Sequence, residues 1–363
     1  MKSGSQEVHS RIALALGVYT RDVKVDRVRA NTRGTEVHSW GRVLGTRFFA
    51  KTLTADPFPL TTPCSIPQGT TFSRSYTRPA AAQVELEWDF MNQFLAAAGP
   101  DHICKPLGLS RRAKTIVWEQ VGGENMHRLI GRARWEDADG RTSSATLLQS
   151  GEWLRKAHSF SQSGSETIDL AELIALLPRS AKELGVRPAR YVRYATMGVR
   201  FLESAVTKMN GTGKITAPVA LSHGDFSLSN LIWSPKENRC FVVDFEHAAC
   251  RPLWHDPVVL ISNLRLKLLN PLVPARVIAS AERSFWEGYG PASAGFQAVV
   301  STLASAWVLY AALPWFSTAF QRRGWLRGMP ASIYGRFLEY YMVPRRLLAQ
   351  PAAAPQVSAE AVG

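Results

Sequence analysis

Residues 221–233 read LSHGDFSLSNLIW. His223, Asp225 and Asn230 share one short polar segment that runs straight into apolar residues. Soon after, FVVDFEHA (241–248) sets a second carboxylate, Asp244, at the end of another apolar run. LIW (231–233) and CFVVDF (240–245) read as short strands, with SPKENR as the turn between them. A hairpin folded there returns Asp244 close to Asn230. An amide oxygen and a carboxylate so placed suit a hard cation that takes oxygen ligands, and Mg²⁺ is held through one or two such groups plus substrate phosphates. Asp225, five residues before Asn230, is then free to accept a proton from an attacking hydroxyl. Phosphoryl transfer needs that division of labour.

HGDFSLSN followed by VVDFEHA resembles the catalytic and metal-binding loops of aminoglycoside phosphotransferases and choline-kinase-like small-molecule kinases. The resemblance spans roughly residues 22–345 and is strongest over 221–257. It implies an α+β, bilobal, protein-kinase-like fold, with a small, mainly antiparallel sheet lobe and a large helical lobe. It implies ATP and Mg as cofactors, Asp225 as catalytic base, Asn230 and Asp244 as metal ligands, and His223 as a structural group bonded to the metal-loop backbone. The middle residue of the motif is Gly224, where protein kinases carry an Arg that clamps an activation-loop phosphate. No A-P-E segment follows. A small-molecule or glycan acceptor is therefore expected rather than a protein.

Working upstream, DVKVDRVRA, TEVHSWGRV and TRFFAKTL are rich in β-branched and aromatic residues and read as strands. The third carries Lys51 where this kinase pattern places its phosphate-binding lysine. Its expected partner lies on the next helix, in VELEWDFMNQFL. Glu85 and Glu87 both qualify, and the Glu-x-x-x-Leu register selects Glu87. The loop between the first two strands, NTRGTE, has Gly34 as its only glycine, so no G-x-G-x-x-G is present. Main-chain amides around Thr32, Arg33, Gly34 and Thr35 are the expected phosphate contacts. VWEQVGG (117–123) resembles the hinge between lobes, where backbone groups from Glu119 to Val121 would meet adenine. In PLWHDPVVLI, Asp256 matches an Asp that anchors the carboxy-terminal lobe, and His158 in WLRKAHSF reads as a packed core histidine.

The 363 residues suit two lobes. The expected bounds are a tail or helix over 1–20, the nucleotide lobe over 21–121, the helical lobe over 122–350 and a disordered, low-complexity tail over 351–363. Residues 54–80, rich in Pro, Thr and Ser, read as a loop. SATLLQSGEWLRKAHSF and ARYVRYATMGVRFLESAVTKM are amphipathic helix candidates. Four cysteines without C-x-x-C spacing signal neither zinc nor a redox pair, and they fit a reducing, cytoplasmic setting. The net charge of +14 is spread along the chain without a block. No nucleic-acid partner is expected, because no aromatic-and-basic interleaving accompanies that charge. Residues 288–321 carry no charge and approach membrane-span length. Pro314 and the many Ser, Thr and Ala residues favour a buried helix. Association with a membrane surface stays compatible with this chemistry if the acceptor is a lipid-linked glycan. The competing readings are a nucleotide-binding pseudokinase that regulates a partner and a basic surface binder.

Overall fold

The computed structural model describes residues 2–31, 34–56, 58–61, 75–132, 141–169, 203, 214–269, 273–291 and 294–314. The chain divides into two units. One comprises residues 1–124, 223–225 and 230–249, and the other holds residues 125–222, 226–229 and 250–363.

The amino-terminal unit is built on a five-stranded antiparallel sheet. Its strands are β1 (Val23–Ala30), β2 (Glu36–Val43), β3 (Thr46–Leu53), β6 (Pro106–Ser110) and β7 (Thr115–Glu119), in the order β1-β2-β3-β7-β6. Strand alternation gives this sheet two faces of different chemistry. Phe48 and Ala50 on β3, Val117 on β7, and Val23 and Val43 point to one face. There they pack with Ile12, Ala13 and Ala15 of helix α1 (Lys2–Leu16). Of the tail or helix expected over 1–20, the structure has a helix, packed on the sheet. Ile12 is fully buried, and a Cβ on Gly108 of β6 would run into the Ala15 carbonyl of α1. The opposite face carries His38, Trp40, Phe49, Lys51 and Trp118.

The Pro- and Thr-rich stretch expected as a loop contains a strand pair, β4 (Phe58–Thr61) with β5 (Ser75–Arg78), and residues 62–74 lie outside the described ones. Helix α2 (Ala80–Ala98) follows and buries Val84, Glu87, Met91 and Phe94, an i, i+3, i+7 stripe. Gly99, at φ +81°, closes it where a side chain would be strained. The hairpin Leu231–Ser234 with Arg239–Val242 completes this unit, in the register Leu231↔Val242 to Ser234↔Arg239.

The carboxy-terminal unit packs helix Arg141–Phe160 against helix Ala275–Tyr289. They approach closely because Gly151 and Gly288 each lie against the other helix's backbone, where no Cβ fits. Helix His255–Leu266 is largely buried, and helix Ala294–Pro314 buries Phe296, Val299, Val300, Leu303, Ala304 and Val308. Strands Ser165–Asp169 and Lys214–Ser222 pair here, although this half reads as almost wholly helical. Asp256 is fully buried and accepts from Ser222 Oγ at 2.8 Å, with His255 Nδ1 at 3.4 Å and His158 Nε2 at 3.8 Å. His158 Nδ1 meets the Tyr289 hydroxyl at 2.8 Å. No helix among the described residues is long and apolar enough to cross a membrane. The helix candidate at 189–209, residue 203 apart, and the tail 351–363 lie outside the described residues.

Candidate active site

The hairpin explains how residues distant in sequence converge. Its register continues one step past the strands, where Val243 N donates to Asn230 O at 3.0 Å. That bond fixes Asp244 beside Asn230. Asp244 adopts φ +69°, a left-handed conformation uncommon for a residue with a side chain. Such strain gathers at functional sites, where surrounding contacts hold it in place. Asn230 Nδ2 donates to the Asp225 carbonyl at 2.9 Å and to Asp225 Oδ2 at 3.0 Å. Both bonds use the amide nitrogen, so the amide oxygen is the end that could hold a metal. Asn230, Asp244 and Lys51 all line one cavity. His223 is fully buried, and its Nε2 lies 3.0 Å from the Val243 carbonyl oxygen.

Lys51 is 3% exposed and stands among three carboxylates. Its Nζ lies 2.7 Å from Glu246, 2.9 Å from Asp244 and 3.2 Å from Glu87. Burial works to lower its pKa, but Asp244, Glu246 and Glu87 hold it well above the ordinary lysine value. Burial pushes the Glu87 carboxyl up to about 8, against the pull of Lys51. Glu246 is half-buried, which works to raise its pKa, yet Lys51 and His247 hold it below the usual carboxylate range. Glu85, the alternative partner for Lys51, instead meets Arg111 at 3.3 Å on the surface. Glu246 was not singled out from sequence, since two positions past Asp244 it reads as a turn residue. Gln83 holds this segment in place by donating to the Glu246 carbonyl at 2.9 Å.

The cavity has a volume of about 310 Å³ and a mostly apolar lining. Its wall is an aromatic row running across the sheet. Trp118 and Phe49 stack at 5.5 Å, and Phe49 and Trp40 lie 5.4 Å apart. Glu119, Gln120 and Val121 edge it. Glu119 N donates to Lys105 O at 2.8 Å and Gln120 N to Arg47 O at 2.9 Å.

The loop 31–36 differs from its expected role. Thr32 and Arg33 lie outside the described residues. Gly34 N donates to Asn31 O, and Asn31 Oδ1 accepts from both Thr35 N and Glu36 N. These amides therefore close the turn on itself and do not form an open anion nest.

The carboxylate oxygens of Glu87, Asp244 and Glu246 all fall within 4.8 Å of one another. With one lysine among three acids, an all-oxygen site carries surplus negative charge. That donor set fits a divalent hard cation.

The model of the phosphotransferase enzyme family, APH, matches residues 64–293. No curated protein matches. Among solved structures, a spectinomycin phosphotransferase in complex with ADP and spectinomycin is 12% identical, with a TM-score of 0.50, over 93% of this chain and 97% of that one. A choline/ethanolamine kinase family protein from Mesorhizobium loti is 14% identical, with a TM-score of 0.49, over 95% and 96%. A macrolide 2'-phosphotransferase from Brachybacterium faecium is 11% identical, with a TM-score of 0.47, over 95% and 98%.

Proposed function

The chain belongs to the phosphotransferase enzyme family, with its protein-kinase-like fold, and from that premise we propose that it transfers the γ-phosphate of ATP to a hydroxyl of a small molecule. The observation that carries this reading is the convergence of Lys51, Asp244 and Asn230 on one aromatic-walled cavity, with Glu87 buried against Lys51. The base sits against Trp118, Phe49 and Trp40, and its edge meets the Glu119 carbonyl and Val121 amide. Lys51 binds phosphate oxygens, oriented by Glu87. Asp244 and the amide oxygen of Asn230 are the residues that would hold Mg²⁺, with Glu246 a third carboxylate in reach. The cation, when bound, neutralises charge on the phosphates and the leaving group.

Asp225 carries the proton chemistry. Its carboxylate accepts the proton of the acceptor hydroxyl as that oxygen bonds to the γ-phosphorus and the bond from phosphorus to the β-bridging oxygen breaks. Asn230 Nδ2 holds the carboxylate in position at 3.0 Å. Asp225→Asn keeps the shape and removes the base. Turnover falls by about 10³-fold or more while MgATP affinity stays within about threefold. The measurement is phosphate transfer from radiolabelled ATP across hydroxylated acceptors, beside a binding titration. Near-full activity in Asp225→Asn would sink the base assignment.

A second reading, a nucleotide-binding regulator without turnover, draws on the self-closed loop at 31–36. Absence of transfer to any acceptor, with intact nucleotide binding, would favour it.

A further inference from the structure

The closed loop leaves a question about the phosphate chain, and the first strand answers it. Strand β1 pairs with β2 in the register Val23↔Val43 and Val25↔Gly41, then slips by one residue at a bulge and resumes as Arg27↔Trp40 and Arg29↔His38. A one-residue slip moves every following side chain to the other face of a sheet. Before the bulge, Val23 and Val25 face the α1 side and pack in its core. Without the slip, Arg27 and Arg29 would follow them. With it, both arginines join Trp40 and His38, which line the cavity. The guanidinium of Arg27 already lies over the Trp40 ring at 5.1 Å.

The sheet therefore presents two transverse rows. Trp118, Phe49, Trp40 and Arg27 form one, and Lys51, His38 and Arg29 form the next. Arg29 stands two strands from Lys51, about 10 Å at the backbone, within reach of one phosphate chain. Both arginines are exposed, and neither meets a carboxylate among the described residues. Such cations suit the site, because the carboxyl groups of Glu87, Asp244 and Glu246 surround Lys51 at 2.7–3.2 Å and outnumber it.

We propose that Arg29, with Arg27 beside it, takes over from the Gly34, Thr35 and Glu36 amides, which are engaged with Asn31, and holds the phosphate chain of the bound nucleotide. The bulge is the device that aims them. This inference rests on the nucleotide-binding reading above and adds a binding role for β1. A guanidinium takes two phosphate oxygens at once, which suits a chain of phosphates better than a single amide would.

The test is a titration, followed by tryptophan fluorescence, of MgATP, MgADP and adenosine into wild type, Arg29→Ala, Arg29→Lys and Arg111→Ala, the last a charge-matched surface control. Arg29→Ala is expected to weaken MgATP by about tenfold, MgADP by less and adenosine within about twofold. Arg29→Lys recovers part of the loss, and Arg111→Ala tracks wild type. MgATP affinity unchanged in Arg29→Ala, or ATP and adenosine weakened alike, overturns the proposal while nucleotide binding stands. A wild type that binds none of the three overturns the nucleotide reading and this proposal together.

Discussion

At Gly224 the backbone adopts φ +82°, and a Cβ there would collide with the carbonyl oxygen of His247. The residue that reads in sequence as a missing arginine thus has a physical reason of its own, close backbone approach inside the site. Gly224→Ala should cost about 2 kcal/mol of stability, read by urea denaturation, through left-handed strain and that collision. A wild-type midpoint would mean the loop relaxes freely. Glu246 shows the reverse situation, a residue whose importance no local pattern reveals. Its contact with Lys51 bridges 195 positions, so only the folded chain brings it into view. Glu246→Gln keeps the shape and removes one carboxylate charge. It should raise the Mg²⁺ concentration needed for half-maximal transfer by about tenfold, whereas Asp244→Asn should abolish transfer. Equal Mg²⁺ dependence in Glu246→Gln and wild type would remove Glu246 from the metal's surroundings.

At the scale of elements, legibility followed periodicity. Strands β1 to β3 and helix α2 carry clean period-two and period-3.6 patterns, and their positions were readable, as was the hairpin that brings Asp244 to Asn230. The bulge in β1 left only a faint trace in sequence, the change of phase from Val23 and Val25 to Val28 across Asp26-Arg27, and the slip itself is set by pairing with β2. The pair β4 and β5 hides among prolines and threonines, which look like loop composition. Strand Lys214–Ser222 carries Pro218 inside it, which argues against a strand locally. Helix α1 was legible as a helix, but its anchoring was not, since Val8, Ile12, Ala13, Ala15 and Leu16 pack on the core from a helix with a weakly apolar sequence. Of these, Ile12 is fully buried. Ile12→Ala should destabilise the amino-terminal unit by about 2–4 kcal/mol, measured by hydrogen exchange in β6 and β7. Unchanged protection there would show that α1 is dispensable to the sheet.

For the whole molecule, the two units hold their buried charges differently, and pH should separate them. In the carboxy-terminal unit, burial holds His255 below its ordinary value of 6.5, so the folded ring stays neutral. Unfolding frees it to take a proton once the pH drops below 6.5, so stability falls as pH falls through that point. Asp256 is opposed by burial but held well below 3.8 by bonds from His158 and His255. Its contribution is present above 3.8 and is lost as pH falls further. Both effects have the same sign. In the amino-terminal unit, Glu246 is a half-buried acid held low, and its contribution is lost only below its ordinary 4.5. Between about pH 6.5 and 4.5, acid should therefore loosen the carboxy-terminal unit first. Hydrogen exchange across that range should rise in helices 141–160 and 275–289 before it rises in β1 to β3. Asp256→Asn leaves His158 and His255 without their acceptor charge. It should cost about 3 kcal/mol at neutral pH and flatten the loss below pH 4. Simultaneous opening of both units across this window, or an acid profile unchanged by Asp256→Asn, would show that this buried cluster does not govern acid stability.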